Sequence, residues 1–105
     1  MEENMHEVIV VLANIGFADV IMNAAREEGA KGGTIVHARG AGNSTITSKY
    51  GLAITPEKEL FFILTTPELR DNIMSSVNKA AGLETPAHAI LFSMPVSSVC
   101  GLKFE

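Results

Sequence analysis

The chain carries one pattern twice, and that repetition leaves few folds open. Glu7 to Ala13 form an apolar run, Phe17 to Glu28 show helical periodicity, and Gly29 supplies a C-terminal stop. The periodicity predicts Phe17, Val20, Ile21 and Ala24 on the inner helix face, with Asp19, Asn23, Arg26 and Glu27 away from it. The second half repeats the order. Glu59 to Thr65 is apolar, Thr66-Pro67-Glu68 reads as an N-cap with proline at the first helical position, Leu69, Ile73, Val77 and Ala80 line one face, and Gly82 ends the helix. A further short strand follows each unit, one between Lys31 and Gly42 and one from Ala89 to Val96. From Glu7 to Gly29 is 22 positions and from Glu59 to Gly82 is 23, so the halves agree in length as well as in order. The reading is βαββαβ. Two such units most often interleave as a split βαβ, which predicts an α+β, ferredoxin-like sandwich: a four-stranded antiparallel sheet, first and third strands central, two helices on one face.

Patterning within the central strands adds a second constraint. Val8-Ile9-Val10-Val11-Leu12 and Leu60-Phe61-Phe62-Ile63-Leu64 are apolar at consecutive positions, whereas a strand with one wet face would alternate. Two helices cover one face only. The other face needs cover from outside the chain, and a second copy is the simplest supply. With 105 residues the chain is expected to be one domain burying about two-thirds of its unfolded surface, a size at which self-association helps. Its 47% hydrophobic content is ample for a core.

Charge narrows the partners. Eight basic residues against 12 acidic ones give a net charge of -4, which disfavours a nucleic-acid partner because a phosphate backbone needs clustered Lys and Arg. Met1-Glu2-Glu3-Asn4-Met5-His6 is acidic where a secretory signal is positive, and no apolar run approaches the roughly 20 residues of a membrane span. A cytoplasmic protein without membrane insertion is expected. The single cysteine, Cys100, allows no intramolecular disulfide and reads as a small hydrophobe beside the last strand.

Lys31-Gly32-Gly33-Thr34-Ile35-Val36-His37-Ala38-Arg39-Gly40-Ala41-Gly42 runs from a glycine turn through one strand into a second glycine turn. Asn43, Ser44, Thr45, Ile46, Thr47, Ser48, Lys49 and Tyr50 follow, with one isolated aliphatic side chain to contribute to a core. The connection from Gly40 to Pro56 exceeds the roughly 12 residues usual for compact domains and reads as a working loop. Disorder in the free protein is expected over Asn43 to Ser48, because ordering each residue costs about 1 to 2 kcal/mol. Gly40-Ala41-Gly42 can adopt positive φ and aim successive N–H groups at an anion, and Arg39 beside it can donate bidentate bonds to a phosphate, although a plain turn and a solvated arginine account for them as well.

These features together resemble the PII signalling proteins, small trimeric regulators of nitrogen metabolism. The likeness rests on the βαββαβ order, the Gly-Gly-Thr-Ile-Val strand opening, the Arg39-Gly40-Ala41-Gly42 exit, the long loop between strands two and three, and the ending Pro95-Val96-Ser97-Ser98-Val99. It implies a homotrimer without catalysis, an effector bound between subunits, and a protruding loop, Asn43 to Tyr50 here, that contacts a transporter or metabolic enzyme. It places Thr34 at the adenine-contacting position, and Gly40 and Gly42 where backbone approaches ribose and phosphates, with Arg39 adjacent. Tyr50 is a weak counterpart of the family's modified loop tyrosine.

The chain departs from that family ahead of the last strand. A Thr-Gly-x-x-Gly-Asp-Gly-Lys turn is replaced by Ala81-Gly82-Leu83-Glu84-Thr85-Pro86-Ala87-His88-Ala89-Ile90, and Cys100-Gly101-Leu102-Lys103 supplies a single cation after the strand. Losing two or three charge-assisted bonds forfeits roughly 3 to 9 kcal/mol. The expected ligand is therefore a small anion, with any adenine nucleotide bound weakly; no other cofactor is called for. Phosphate-loop and nucleophile-elbow motifs are absent. His6, His37, His88 and Cys100 are the remaining metal-ligand types, none at ligand spacing. Glu57 and Glu59 share a strand face as a catalytic pair would, and a solvated strand entry explains them equally. Two main readings result: an effector-gated regulator, or a constitutive interaction module of the same fold. A metal-binding trimer of this fold is a further alternative, and a degenerate enzyme is a distant third, since the sequence supplies no nucleophile–base pair.

Overall fold

The computed structural model describes residues 6–39 and 57–101. Over these the order is β1 (Glu7–Asn14), α1 (Ala18–Glu27), β2 (Thr34–Arg39), β3 (Glu57–Thr65), α2 (Pro67–Ala81) and β4 (Ile90–Pro95). The four strands form one sheet in the order β2-β3-β1-β4, with every neighbour pair antiparallel. The expected ferredoxin-like α+β sandwich is thus the fold, with β1 and β3 central and β2 and β4 at the edges.

Register assigns each side chain to a face. Ile9, Val11 and Ala13 of β1 lie level with Ile63, Phe61 and Glu59 of β3, so these share one side. The helices cover that side. Ile9, Val11, Phe61 and Ile63 join Ile21 and Ala25 of α1 and Ile73, Val77 and Ala81 of α2 in a core whose members are all buried. Both helices present a face turned by one position from the sequence reading at some residues. Met22 and Ala25 point inward while Val20 is exposed, and Ala81 is buried while Ala80 is not. Adjacent inner-face registers of a helix differ by about 100° of rotation, and with small Ala on several flanks the sequence does not separate them.

The two helix stops work by different means. At the end of α1, Ala30 N–H bonds to Ala25 O and Gly29 N–H to Arg26 O, a Schellman closure with Gly29 at φ +106°. Gly82 has φ -73°, so positive φ is not its reason. A Cβ there would overlap the Asn78 carbonyl and side-chain oxygens. Gly82→Ala is therefore expected to force the end of α2 open and lower stability by about 1 to 3 kcal/mol, read as a fall in the urea midpoint; an unchanged midpoint would show that this helix end yields without cost. Thr66 is the N-cap residue of α2 in extended backbone with Pro67 following, as expected, although its side chain makes no capping bond. In the first turn of this helix, Arg70 Nη1 stands 3.4 Å from the carboxylate of buried Glu7. The Arg70 guanidinium is held above its ordinary value by its hydrogen bond to Asp71 first and by Glu7 second. Arg70 keeps its proton throughout the working range of pH, so its own titration adds no pH dependence to stability there.

The opposite sheet face carries Val8, Val10 and Leu12 of β1, Leu60, Phe62 and Leu64 of β3, Ile90, Phe92 and Met94 of β4, and Val36 of β2. No described element packs over it. Phe62, Val10 and Phe92 lie side by side across three strands, so Val10 is 4% exposed while the phenyl rings beside it remain 38% and 46% exposed. Ten apolar side chains on one open face are what consecutive apolar positions in central strands predict.

Candidate functional site

Three strand ends meet at one edge of the sheet: the C-termini of β1 and β2 and the N-terminus of β3. His37 lies opposite Glu59, Ala38 opposite Lys58, and Arg39 opposite Glu57, while Ala13 and Asn14 flank Glu59 and Lys58 from β1. Alternation then sorts the polar groups. Glu57, Glu59, His37 and Arg39 fall on the helix side, and Lys58, Asn14 and Ala38 on the open side.

Glu59 is 8% exposed. One carboxylate oxygen accepts from Gly16 N–H at 3.3 Å and the other stands 3.4 Å from His37 Nε2. The solvated strand entry expected for Glu57 and Glu59 thus holds for exposed Glu57 and fails for Glu59, because the turn after β1 folds over it and supplies a donor. His37, on an edge strand as expected, keeps its imidazole largely in solvent. On the open side, Lys58 Nζ donates to Asn14 Oδ1 at 2.8 Å, Asn14 Nδ2 donates to Pro86 O at 2.9 Å, and Asn14 N–H donates to Ala87 O at 3.0 Å.

The segment before β4 is closed on itself. Gly82 O accepts from both Thr85 N–H and Thr85 Oγ1, His88 N–H bonds to Thr85 O, and Ala89 N–H bonds to Ala81 O. His88 adopts φ 54°, a left-handed conformation costing about 1 kcal/mol for a residue with a Cβ. With the N–H groups of Gly82, Thr85, His88 and Ala89 committed to carbonyls, this turn is poorly furnished to wrap a phosphate, in keeping with its lack of a glycine cluster and lysine.

The sequence-predicted effector residues separate into groups. Thr34 opens β2 and Arg39 closes it, both exposed. Five positions at about 3.4 Å each put them about 17 Å apart, and the odd spacing puts them on opposite faces. A ligand touching both from one protomer must extend along the strand. Arg39 lines a shallow cleft of about 220 Å³ with His37, Ala38 and Glu57. The Glu57 carboxylate opposes an anion there, which limits the attraction Arg39 provides. Gly40, Gly42 and the loop residues Asn43 to Tyr50 lie outside the described residues. Cys100 is exposed. Among the described residues no three His, Cys, Asp or Glu side chains come close enough to hold a metal ion, and no helix is long and apolar enough to cross a membrane.

Sequence reading missed Asn14, Gly16 and Lys58. Asn14-Ile15-Gly16 is legible as a turn, but its partners lie 43 to 72 positions away in the chain, and no local pattern joins them.

In sequence the chain matches no family model and no curated protein. In structure it resembles Arabidopsis thaliana PII bound to citrate, with a TM-score of 0.69 over 90% of this chain and 78% of that one at 14% identity. The chain therefore has a PII-like fold.

Proposed function

We propose that this protein is a PII-like regulator: a homotrimer that takes a small anionic effector near the base of the 40–56 connection and acts on a transporter or metabolic enzyme through that connection. The observation that carries the reading is the open apolar sheet face on a fold whose long β2–β3 connection springs from a polar strand end. Apolar surface of that extent marks an interaction site, and a closed oligomer of like chains covers it with its own equivalent. Packing sheet against sheet brings the β2–β3 ends of neighbouring copies toward a common boundary, where an effector can bias the loops. Citrate on the structurally similar protein supports a small carboxylate as ligand class. Nitrogen metabolism is the process that the PII likeness supports.

Effector binding rests on Arg39, Gly40 and Gly42, with Thr34 added only for a ligand long enough to run down β2. Adenine nucleotides are expected to bind weakly with little preference for ATP over AMP, since the turn before β4 has no lysine and has the N–H groups of Gly82, Thr85, His88 and Ala89 engaged. Titration calorimetry with citrate, AMP, ADP and ATP is the test. Arg39→Gln is expected to weaken every binder by about ten-fold, one charge-assisted bond being worth about 1.5 kcal/mol, and Thr34→Val to weaken nucleotides alone. Micromolar ATP with a marked preference over AMP would overturn the small-anion assignment. Silence from all four ligands would favour the constitutive module, which the internally bonded turn before β4 also supports.

A further inference from the structure

At the loop-bearing end of the sheet, the Asn14 side chain bonds in two directions on the open side. Its amide oxygen takes Lys58 Nζ and its amide nitrogen reaches Pro86 O, while its backbone N–H holds Ala87 O. Lys58 is the second residue of β3, at the foot of the 40–56 connection; Pro86 and Ala87 belong to the turn that delivers the chain into β4. These two segments are not sheet neighbours, because β1 stands between β3 and β4. We infer that Asn14 is a latch coupling the foot of β3 to the turn before β4, so that a change in the hold on Lys58 is felt at 85–88.

Three features make the link directional. The donors of an asparagine amide and its acceptor are fixed on one planar group, so rotation that improves one bond worsens the other. The turn it holds contains His88 in a left-handed backbone conformation, which persists only where its surroundings fix it. Lys58 carries its charge on a flexible four-carbon stem, so an event at the strand foot can draw the ammonium away without moving the β3 backbone. Loss of that bond frees the Asn14 amide, and the turn loses a tether. This inference depends on the fold and the hydrogen bonds alone and is independent of whether the effector reading holds.

Hydrogen exchange on the full chain, resolved to short peptides, tests it. Lys58→Met keeps the stem and removes the charge. It is expected to speed exchange of the His88 and Ala89 amides about three- to ten-fold, the scale of one hydrogen bond, with the amides of α2 unchanged as an internal control. Asn14→Ala should accelerate the same amides by at least as much. Asn14→Asp separates the two arms: its carboxylate still accepts from Lys58 but has no N–H for Pro86 O, so 85–89 should loosen while the foot of β3 stays slow. Acceleration confined to the foot of β3 in Lys58→Met would overturn the latch, as would 85–89 exchange unmoved by Asn14→Asp. A uniform acceleration that includes α2 would mean general destabilisation and count against it as well.

Discussion

Phe62→Glu combined with Phe92→Glu is expected to turn the protein into an 11.2 kDa monomer in sedimentation equilibrium, while the native sequence sediments at about three times that mass. Both rings flank Val10 on the open sheet face and are more than one-third exposed within the single chain, so replacing them removes little from the fold itself. Against a second copy the outcome differs. Burying a phenylalanine side chain contributes about 1.5 to 3 kcal/mol, and forcing a carboxylate into an apolar contact costs several kcal/mol more. With both changes present in every copy, association should weaken by many orders of magnitude. The double variant should also retain its helical circular dichroism, which distinguishes lost assembly from lost folding. A native chain that sediments as a monomer at micromolar concentration would overturn the oligomer and the intersubunit effector site together. A double variant that remains a trimer would show that the contact lies elsewhere on the surface.

The second large effect belongs to the neighbouring residue. Phe61→Ala should cost about 3 to 5 kcal/mol of folding stability, because Phe61 is fully buried among Ile9, Val11, Ile63 and the helices and its removal leaves a cavity that surrounding side chains fill only in part. Against the 5 to 15 kcal/mol typical of a small domain that is a substantial fraction, and at about 4 to 8 °C per kcal/mol it should lower Tm by roughly 12 to 40 °C. Leu83→Ala, at an exposed position, is the control and should stay within about 0.5 kcal/mol. Because assembly and folding are linked by mass action, the comparison belongs in the Phe62→Glu, Phe92→Glu background, where the folding term is read alone. A Phe61→Ala loss below about 1 kcal/mol there would mean that the core collapses around the missing ring.

Leu60-Phe61-Phe62-Ile63-Leu64 marks how far the sequence reaches. Five consecutive apolar residues state that both faces of β3 want cover, and the doubled strand–helix–glycine unit states how many helices are available to cover them. Fold class, strand order and the existence of an uncovered face follow from those two facts, since they are set by local periodicity and by counting. Which alternate residues turn to the helices is a matter of register. Phe61 faces the core and Phe62 the open side because β1 and β3 pair with Val11 opposite Phe61, a choice no local pattern encodes. The same limit explains the helix faces, where Val20 gave way to Met22 and Ala80 to Ala81.

The candidate site divides along the same line. The end of β2 at Arg39 was legible because the glycines that follow it in the sequence are a local stop signal. The wide separation of Thr34 from Arg39 follows from strand rise once β2 is bounded, so it needed only the strand's limits. The burial of Glu59 and the bridge from Lys58 through Asn14 to Pro86 needed the whole sheet. They join residues 43 to 72 positions apart, at short range in space, through hydrogen bonds that exist only after four strands have paired. Periodicity and composition determine where a chain bends and what it must bury; long-range pairing decides which polar groups meet, because that depends on distances the sequence does not carry.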